Sequence, residues 1–175
     1  MIFELLKKIC GALEHNNILY MLSGSIAMNV YTVPRMTRDL DFVVDLQIAD
    51  LERFAAIFRE GYYIHEEGLE FEIQRRGMFN VIDYESGYKI DFIVRKNTEF
   101  HINEFSRRRR TSAFGLEFWV VSVEDLILAK LIWIQQVLSE IQMNDIQNLL
   151  QNETIDRDYL KEWIHRLNLK TFNLI

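Results

Sequence analysis

The pattern of apolar and polar residues predicts a helix at the start of the chain, then a strand, a short helix and a second strand. Apolar residues recur at helical spacing across residues 2–16. Apolar runs at 18–22 and 40–44 have the length of buried strands. Between them, residues 26–31 predict a short helix that Pro34 ends.

The middle of the chain alternates between amphipathic and strand-like segments, and its last third is helical. The predicted elements are helices at 49–59, 66–76 and, weakly, 100–109, an edge strand at 62–64, hairpins formed by 79–84 with 88–94 and by 112–114 with 118–121, and helices at 123–138, 141–151 and 156–167. These elements predict an α+β fold, a mixed sheet flanked by helices with a C-terminal helical bundle. We therefore expect an α/β core at 1–122 and a C-terminal helical subdomain at 123–175 packed on that core.

The composition is that of a single domain with a substantial core. Of the 175 residues, 49% are hydrophobic and 26% charged, a balance that argues against disorder. The net charge of −6 argues against a protein that coats nucleic acid, although local basic clusters leave RNA binding open. The single cysteine, Cys10, is expected to be a buried thiol in a reducing compartment. The chain starts without a signal-peptide pattern and its longest apolar run, 126–134, is too short for a bilayer, so we expect a soluble cytoplasmic protein.

Two aspartates open the second predicted strand. Side chains two residues apart on a strand share a face, so Asp39 and Asp41 should project together, about 7 Å apart along the chain. Carboxylates this close repel one another unless a cation or a proton neutralises them. A metal site is therefore the first hypothesis for this stretch.

Asp91 is the candidate for a third carboxylate. It lies between Ile90 and Phe92 in an apolar strand, either because that face of the strand is exposed to solvent or because it completes a triad with the first two acids. Three carboxylates without a nearby histidine or cysteine suit Mg²⁺ or Mn²⁺ better than zinc. Two such ions can bind the attacking and leaving oxygens in phosphoryl transfer.

A glycine and a serine, Gly24 and Ser25, follow the first predicted strand. At a strand-to-helix turn, a glycine lets the backbone approach a phosphate, and the serine hydroxyl and the helix N–H groups donate to it. Alone, such a pair is more often a simple turn, with Ser23 or Ser25 as the helix N-cap. Its position ahead of the two aspartates is what favours a phosphate site.

Lys130 is predicted to rise from the apolar face of a C-terminal helix, since its helical neighbours are Leu126, Ile127, Trp133 and Ile134. Its ammonium either reaches water along a packed stem or faces a cleft, where a triphosphate or Asp145 neutralises it. We favour the cleft.

Other polar and aromatic residues are less informative. Arg35 and Arg38 flank Thr37 and either bind phosphates bidentately or remain solvated. The basic run at 107–110 either binds NTP phosphates or RNA, or forms a solvated helix end. The histidines show no metal-ligand spacing. The tryptophans are expected in the core, and they are Trp119, Trp133 and Trp163.

The arrangement of these residues resembles the nucleotidyltransferase fold of the DNA polymerase β superfamily. The resemblance rests on the Gly24-Ser25 pair, on Asp39-Leu40-Asp41 at the start of a strand, and on the later strand acid Asp91. The phrase from Tyr31 through Pro34, Arg35 and Thr37 to the aspartates is similar to small bacterial nucleotidyltransferases related to the AbiEii and MenT toxins. The similarity continues through 106–109, 121–131 and 144–146, and so covers nearly the whole chain.

The resemblance implies transfer of a nucleoside monophosphate from an NTP to an acceptor, with release of pyrophosphate. It implies Mg²⁺ or Mn²⁺ bound by Asp39, Asp41 and Asp91, with Lys130 and Asp145 as further catalytic residues. It assigns nucleotide binding to Gly24, Ser25, Arg35, Thr37 and Lys130. The acceptor would be tRNA or another RNA, a protein, or a small hydroxylated molecule, and a toxin would add an antitoxin partner. One departure is that thirteen residues separate Ser25 from Asp39, more than is common in the superfamily.

Two other interpretations remain open at this point. The chain is a catalytically silent module that keeps the fold and binds nucleotide or a protein partner, or its acids form a structural salt-bridge cluster with Arg35 and Arg38. The retained acids and Lys130 argue against a silent module, because a non-catalytic copy has no physical need for clustered carboxylates.

Overall fold

The computed structural model describes residues 2–175, and the elements in that range follow the predicted order. The helices are α1 (Ile2–His15), α2 (Gly24–Tyr31), α3 (Leu51–Ile57), α4 (Glu66–Gln74), α5 (Glu99–Ser106), α6 (Val123–Gln136), α7 (Glu140–Leu149) and α8 (Arg157–Arg166). The strands are β1 (Leu19–Ser23), β2 (Asp39–Asp45), β3 (Tyr62–Ile64), β4 (Met78–Asp83), β5 (Lys89–Val94), β6 (Arg109–Ala113) and β7 (Leu116–Val120). The predicted α+β class is confirmed.

The strands of the described chain form one mixed sheet in the order β3-β4-β5-β2-β1-β7-β6. The central strand β2 pairs antiparallel with β1 and parallel with β5. The two predicted hairpins, β4–β5 and β6–β7, are antiparallel pairs, and β3 is the predicted edge strand. The strands that carry the three candidate acids are therefore neighbours in the middle of the sheet.

Aromatic side chains fill the space between the sheet and α3. Phe42 of β2 and Phe92 of β5 stack with their ring centroids 5.6 Å apart. Phe54 and Phe58 of α3 pack on Phe92 at 5.1 and 5.4 Å. Burying each such side chain stabilises the fold by about 1.5–3 kcal/mol. Because these rings occupy one face of β2 and β5, the alternate residues, which include the aspartates, face the other side.

A buried polar network joins α5, α6 and α8. Asp125, near the start of α6, accepts hydrogen bonds from Arg107 Nε at 3.0 Å and from the Tyr159 hydroxyl at 2.5 Å. Its neighbour Glu124 accepts one from the backbone N–H of Asp156, the N-cap of α8, at 3.1 Å. The acidic pair that begins α6 therefore fixes the helices around it.

The basic run at 107–110 begins at Arg107, the C-cap of α5, and continues into β6, which starts at Arg109. Arg107 is bound by the acids of α6, and Arg110 forms an ion pair with Glu14 of α1 at 2.5 Å. The side chains of the run contribute to packing and ion pairs within the fold.

One prediction about the core is wrong. Trp133 is 57% exposed, whereas Trp163 is buried and Trp119 half-buried. Cys10 is buried as predicted, and burial raises the pKa of its thiol to about 12.

The buried side chains of α6, among them Leu128 and Leu131, belong to the same hydrophobic cluster as those of the sheet. The division at 122–123 stays a prediction. Within residues 2–175, no helix has the length and hydrophobicity needed to cross a membrane.

Candidate active site

The strand register places four polar side chains in one row across the sheet. Asp41 of β2 is paired with Ser23 of β1 and with Asp91 of β5. Asp91 is in turn paired with Asn80 of β4. Neighbouring strands lie about 4.8 Å apart, so this row extends over roughly 14 Å. Asp39 lies two residues before Asp41 on the same face, and the three acids predicted from the sequence therefore lie on adjacent strands facing one side.

A cleft of about 410 Å³ lies between this row and α6. It is lined by Ser23, Gly24, Ser25, Thr37, Asp39, Asp41, Met78, Lys89, Asp91, Ile93, Leu126, Ala129, Lys130, Trp133 and Gln142. The four residues from α6 follow helical spacing, so one face of that helix covers the row. The cleft thus has a floor rich in carboxylates and a roof with a single lysine.

Asp41 is held in an environment that disfavours its charge. Its pKa is raised from 3.8 to about 6, first by burial and then by the negative charges of Asp91 and Asp39. Lys130, across the cleft, acts in the opposite direction with a smaller effect. At neutral pH the floor therefore concentrates negative charge that a bound cation would relieve.

Asp91 has a cationic neighbour on its own strand. Its Oδ2 lies 2.8 Å from Lys89 Nζ. The hydrogen bond to Asp91 raises the pKa of Lys89, which is 44% exposed at its side chain. Asp91 also lines the cleft, so its carboxylate contacts Lys89 and borders the space above the floor.

Gly24 brings the start of α2 directly against the acid row. Its φ of +61° lies in the left-handed region that favours glycine. A Cβ at this position would lie 1.9 Å from Asp41 Oδ2, well inside the contact distance. Ser23 is the N-cap, one of the two predicted, and its side chain makes no capping hydrogen bond.

A chain of polar contacts links α2, α6 and α7 above the floor. Arg35 Nη2 donates to Ser25 Oγ and to Asp145 Oδ2, each at 2.9 Å. Lys130 Nζ donates to the same Asp145 oxygen at 2.9 Å and to Gln142 Oε1 at 2.8 Å. Both Lys130 and Asp145 are buried. The structure thus brings four of the residues implied by the resemblance, Ser25, Arg35, Lys130 and Asp145, into one network.

Asn29 fixes the backbone of Arg35. Its amide donates to the Arg35 carbonyl at 2.9 Å and accepts from the Arg35 N–H at 3.0 Å. This pair of bonds closes the loop after α2 and directs the guanidinium to Asp145. Thr37, farther along the same loop, lines the cleft, and its hydroxyl lies within 3.5 Å of the Asp39 backbone.

The acids of the floor do not form a salt-bridge cluster with the loop arginines, so that interpretation is wrong. Arg35 pairs with Asp145 instead. Among the ion pairs of residues 2–175, none includes Arg38, Asp39 or Asp41.

The donor atoms of the floor fit a hard divalent cation, because they are carboxylate oxygens without sulfur or imidazole nearby. In the part of the chain that the structure describes, no three acidic, histidine or cysteine side chains are already arranged as a metal site. For the three acids to bind one metal together, the ion pair between Asp91 and Lys89 would have to lengthen or break.

Solved structures identify the fold. The antibiotic-resistance factor ANT(2'')-Ia superposes with a TM-score of 0.63 at 15% identity, over 94% of this chain and 94% of that chain. Lincomycin-bound LnuA, a lincosamide antibiotic adenylyltransferase, gives 0.55 at 18% identity, over 86% and 94%. A Thermotoga maritima protein described as a candidate nucleotidyltransferase gives 0.56 at 16% identity, over 94% and 93%. No protein-family model and no curated protein matches the sequence.

The chain has the nucleotidyltransferase fold. The sequence-based prediction of a nucleotidyltransferase-like fold is therefore confirmed, in addition to the α+β class. None of the three structures is described as an AbiEii or MenT protein, so the narrower assignment within the nucleotidyltransferase fold stays a prediction.

Several residues of the cleft were not found from the sequence. Gln142 precedes Asp145 by three positions on α7, a helical spacing that would have placed it beside Lys130. Trp133 follows Lys130 by three positions on α6, and its apolar character led to its assignment to the core. Ser23 was predicted only as a possible N-cap, and Asn80, which lines the depression beside the cleft, carried no local signal. Only the strand register aligns these two residues with the acids.

Proposed function

We propose that this protein transfers a nucleoside monophosphate from an NTP to a hydroxyl group of a small molecule. The observation that carries the proposal is Asp41, which is half-buried, has a raised pKa and lies with Asp39 and Asp91 on the floor of a cleft roofed by Lys130. Clustered carboxylates, of which Asp41 has a raised pKa, opposite a buried lysine are costly for the fold and suit a site that binds a metal with a polyphosphate.

Asp39, Asp41 and Asp91 would hold Mg²⁺ or Mn²⁺, which supplies positive charge to the triphosphate and to the reacting hydroxyl. The start of α2 offers backbone N–H groups beside Gly24, and the Ser25 hydroxyl keeps its proton available for a phosphate oxygen while it accepts from Arg35. These groups lie at one end of the acid row and define the phosphate end of the cleft.

Lys130 and Asp145 form a preset pair at this phosphate end. A buried lysine without a partner would be strongly destabilising, and Asp145 neutralises it while no nucleotide is bound. We infer that Asp145 positions Lys130 and Arg35 for the β- and γ-phosphates. Lys130 then stabilises the charge that develops on the leaving pyrophosphate.

In the reaction, an acceptor oxygen forms a bond to the α-phosphorus as the bond to the bridging oxygen of the pyrophosphate breaks. The proton of the acceptor hydroxyl passes to the carboxylate of Asp91, which lines the cleft. The products are the nucleotidylated acceptor and pyrophosphate. NTPs are abundant in the cytoplasm, which agrees with the location expected from the sequence.

The preference for a small acceptor is supported by the proteins that share the fold. ANT(2'')-Ia was solved with adenylyl-2''-tobramycin, and LnuA with lincomycin. The net charge of −6 also offers little to a polyanionic acceptor. The alternatives are the RNA and protein acceptors predicted from the sequence, and the same assay covers them. A toxin role with an antitoxin partner belongs with those alternatives.

The test is incubation with each α-labelled NTP, Mg²⁺ and, separately, a small-molecule library, total RNA or cell protein. We expect label on a small molecule and its loss in Asp39→Asn. Glu117→Gln, an exposed acid on β7, is the matched control and should keep full activity. Absence of labelling in every arm, with no nucleotide binding by calorimetry, would refute the proposal. Nucleotide binding without turnover would favour the silent module.

A further inference from the structure

The direction of the reaction fixes where the acceptor must lie. In phosphoryl transfer, the attacking and leaving oxygens are roughly in line through the phosphorus. The proposed function places the leaving pyrophosphate at Gly24, Ser25 and Lys130, beside β1 and α2. The acceptor therefore approaches from the opposite end of the acid row, beyond Asp91, over β4.

We propose that the β4 end of the cleft is an acceptor subsite for an uncharged hydroxylated molecule with an apolar face. This inference rests on the proposed function. The subsite consists of Asn80, Met78, Ile93 and Trp133. The sequence predicts no ligand-binding role for any of them.

The floor of this subsite continues the acid row with an amide and an apolar pair. Asn80 is paired in register with Asp91, is exposed, and can both donate to and accept from a hydroxyl group. Two residues along, Met78 of β4 is paired with Ile93 of β5. Met78 is 55% exposed although it lies on the sheet, and it lines both the cleft and the depression that continues beyond β4.

The roof of the subsite is Trp133. It follows Lys130 by three residues on α6, so both side chains face the cleft, with the indole displaced toward the end of the helix. The neighbouring segment adds further exposed apolar side chains, Val137, Leu138 and Ile141. An exposed tryptophan above an exposed methionine provides two apolar surfaces between which a flat apolar group can lie.

The charges of this end favour an uncharged acceptor. Glu72 is the one acid that lines the depression beyond β4, and Arg75 binds it with Nη2 2.8 Å from Oε2. A polyamine such as tobramycin would find no unpaired carboxylate there among the described residues, apart from the acids of the floor itself. An uncharged acceptor can place an apolar face against Trp133 and direct a hydroxyl group to Asp91.

The nucleobase is the competing occupant, and nucleotide affinity separates the two. We expect calorimetry with Mg²⁺ and non-hydrolysable analogues of the four NTPs to give Kd values for Trp133→Ala within twofold of the wild type. A tenfold loss for one analogue would show that Trp133 stacks on a base and would overturn the proposal. No binding to the wild type would refute the proposed function as well.

The second arm uses two probes on the nucleotide-loaded protein, the uncharged phenyl β-D-glucopyranoside and the polycation tobramycin. We expect saturation-transfer NMR signals from the glucoside, lost in Trp133→Ala, restored in Trp133→Phe and unchanged in Tyr63→Ala, an exposed aromatic on β3. Asn80→Ala should weaken binding at least fivefold. Binding of tobramycin alone, or of no probe while the nucleotide still binds, would overturn the inference and leave the proposed function intact.

Discussion

Replacing Asp41 by asparagine should stabilise the metal-free protein while it abolishes activity. The pKa of Asp41 is about 6 in the folded protein and 3.8 ordinarily, so the folded state retains a proton that the unfolded state has lost. The stability associated with this proton is complete below about pH 4 and is lost as the pH rises through 6. A shift of about two pH units corresponds to about 3 kcal/mol at neutral pH.

The assay is chemical denaturation in EDTA at pH 4.5 to 8, with thermal melts alongside. At pH 7.5 we expect the free energy of unfolding of Asp41→Asn to exceed that of the wild type by about 3 kcal/mol. For a chain of this length, that difference raises Tm by roughly 6–12 °C. At pH 4.5, where most unfolded chains have already lost this proton and most folded ones have kept it, the difference should shrink to about 1 kcal/mol. Adding Mg²⁺ should stabilise the wild type and leave the variant unchanged.

Asp45 on the same strand provides the matched control. It is paired with Arg95 at 3.1 Å, so Asp45→Asn should lower stability by about 1 kcal/mol. If Asp41→Asn were as unstable as this control at pH 7.5 in EDTA, the conclusion that the ionised carboxylate of Asp41 destabilises the fold would be refuted.

Three further substitutions test the neighbouring geometry. Gly24→Ala should reduce turnover at least a hundredfold by displacing Asp41, whereas Gly115→Ala, with φ of +73° and nothing within 4 Å, should cost only about 1 kcal/mol and leave steady-state kinetics unchanged. Asp145→Asn should lower the free energy of unfolding by about 3 kcal/mol, since two cations lose their partner, and should weaken NTP binding several-fold by calorimetry, because Lys130 and Arg35 are no longer held in place; unchanged or tighter binding would contradict the positioning role. Burial, with a smaller effect of the charge on Asp125, raises the pKa of Glu104 to about 8. The stability of the wild type should therefore fall as the pH rises through 8. Urea titrations at pH 6 and 9 should show that Glu104→Gln removes this decline.

Most of the secondary structure could be predicted because the apolar spacing is strong and the turns carry clear signals. The edge strand at Tyr62–Ile64 and the N-cap at Asp156 both follow from local sequence. Local pattern failed where tertiary contacts decide. Trp133 was assigned to the core because an apolar residue on an apolar helix face usually packs, and nothing in its neighbourhood signals that this part of the face overhangs a cleft.

The candidate site was predictable only in part for a similar reason. Asp39 and Asp41 share a face by strand parity alone, and Asp91 and Lys130 stand out as charged residues within apolar elements. The resemblance then implied catalytic roles for these residues and for Asp145. The pairing of Arg35 with Asp145 spans 110 residues and depends on the packing of α7 against the loop after α2. No local pattern encodes such a contact, and the position of Asn80 beside Asp91 likewise depends on strand register.

The parallel pairing of β2 with β5 has a consequence for how the protein folds. Asp41 and Asp91 are fifty positions apart, and the chain between them contains α3, β3, α4 and β4, so the pairing of β2 with β5 closes a long loop. Loop closure of this length is entropically costly, and parallel pairing is slow. In stopped-flow refolding, helical circular dichroism should therefore recover ahead of Mg²⁺ and nucleotide binding, which would mark the moment when the central strands dock in register.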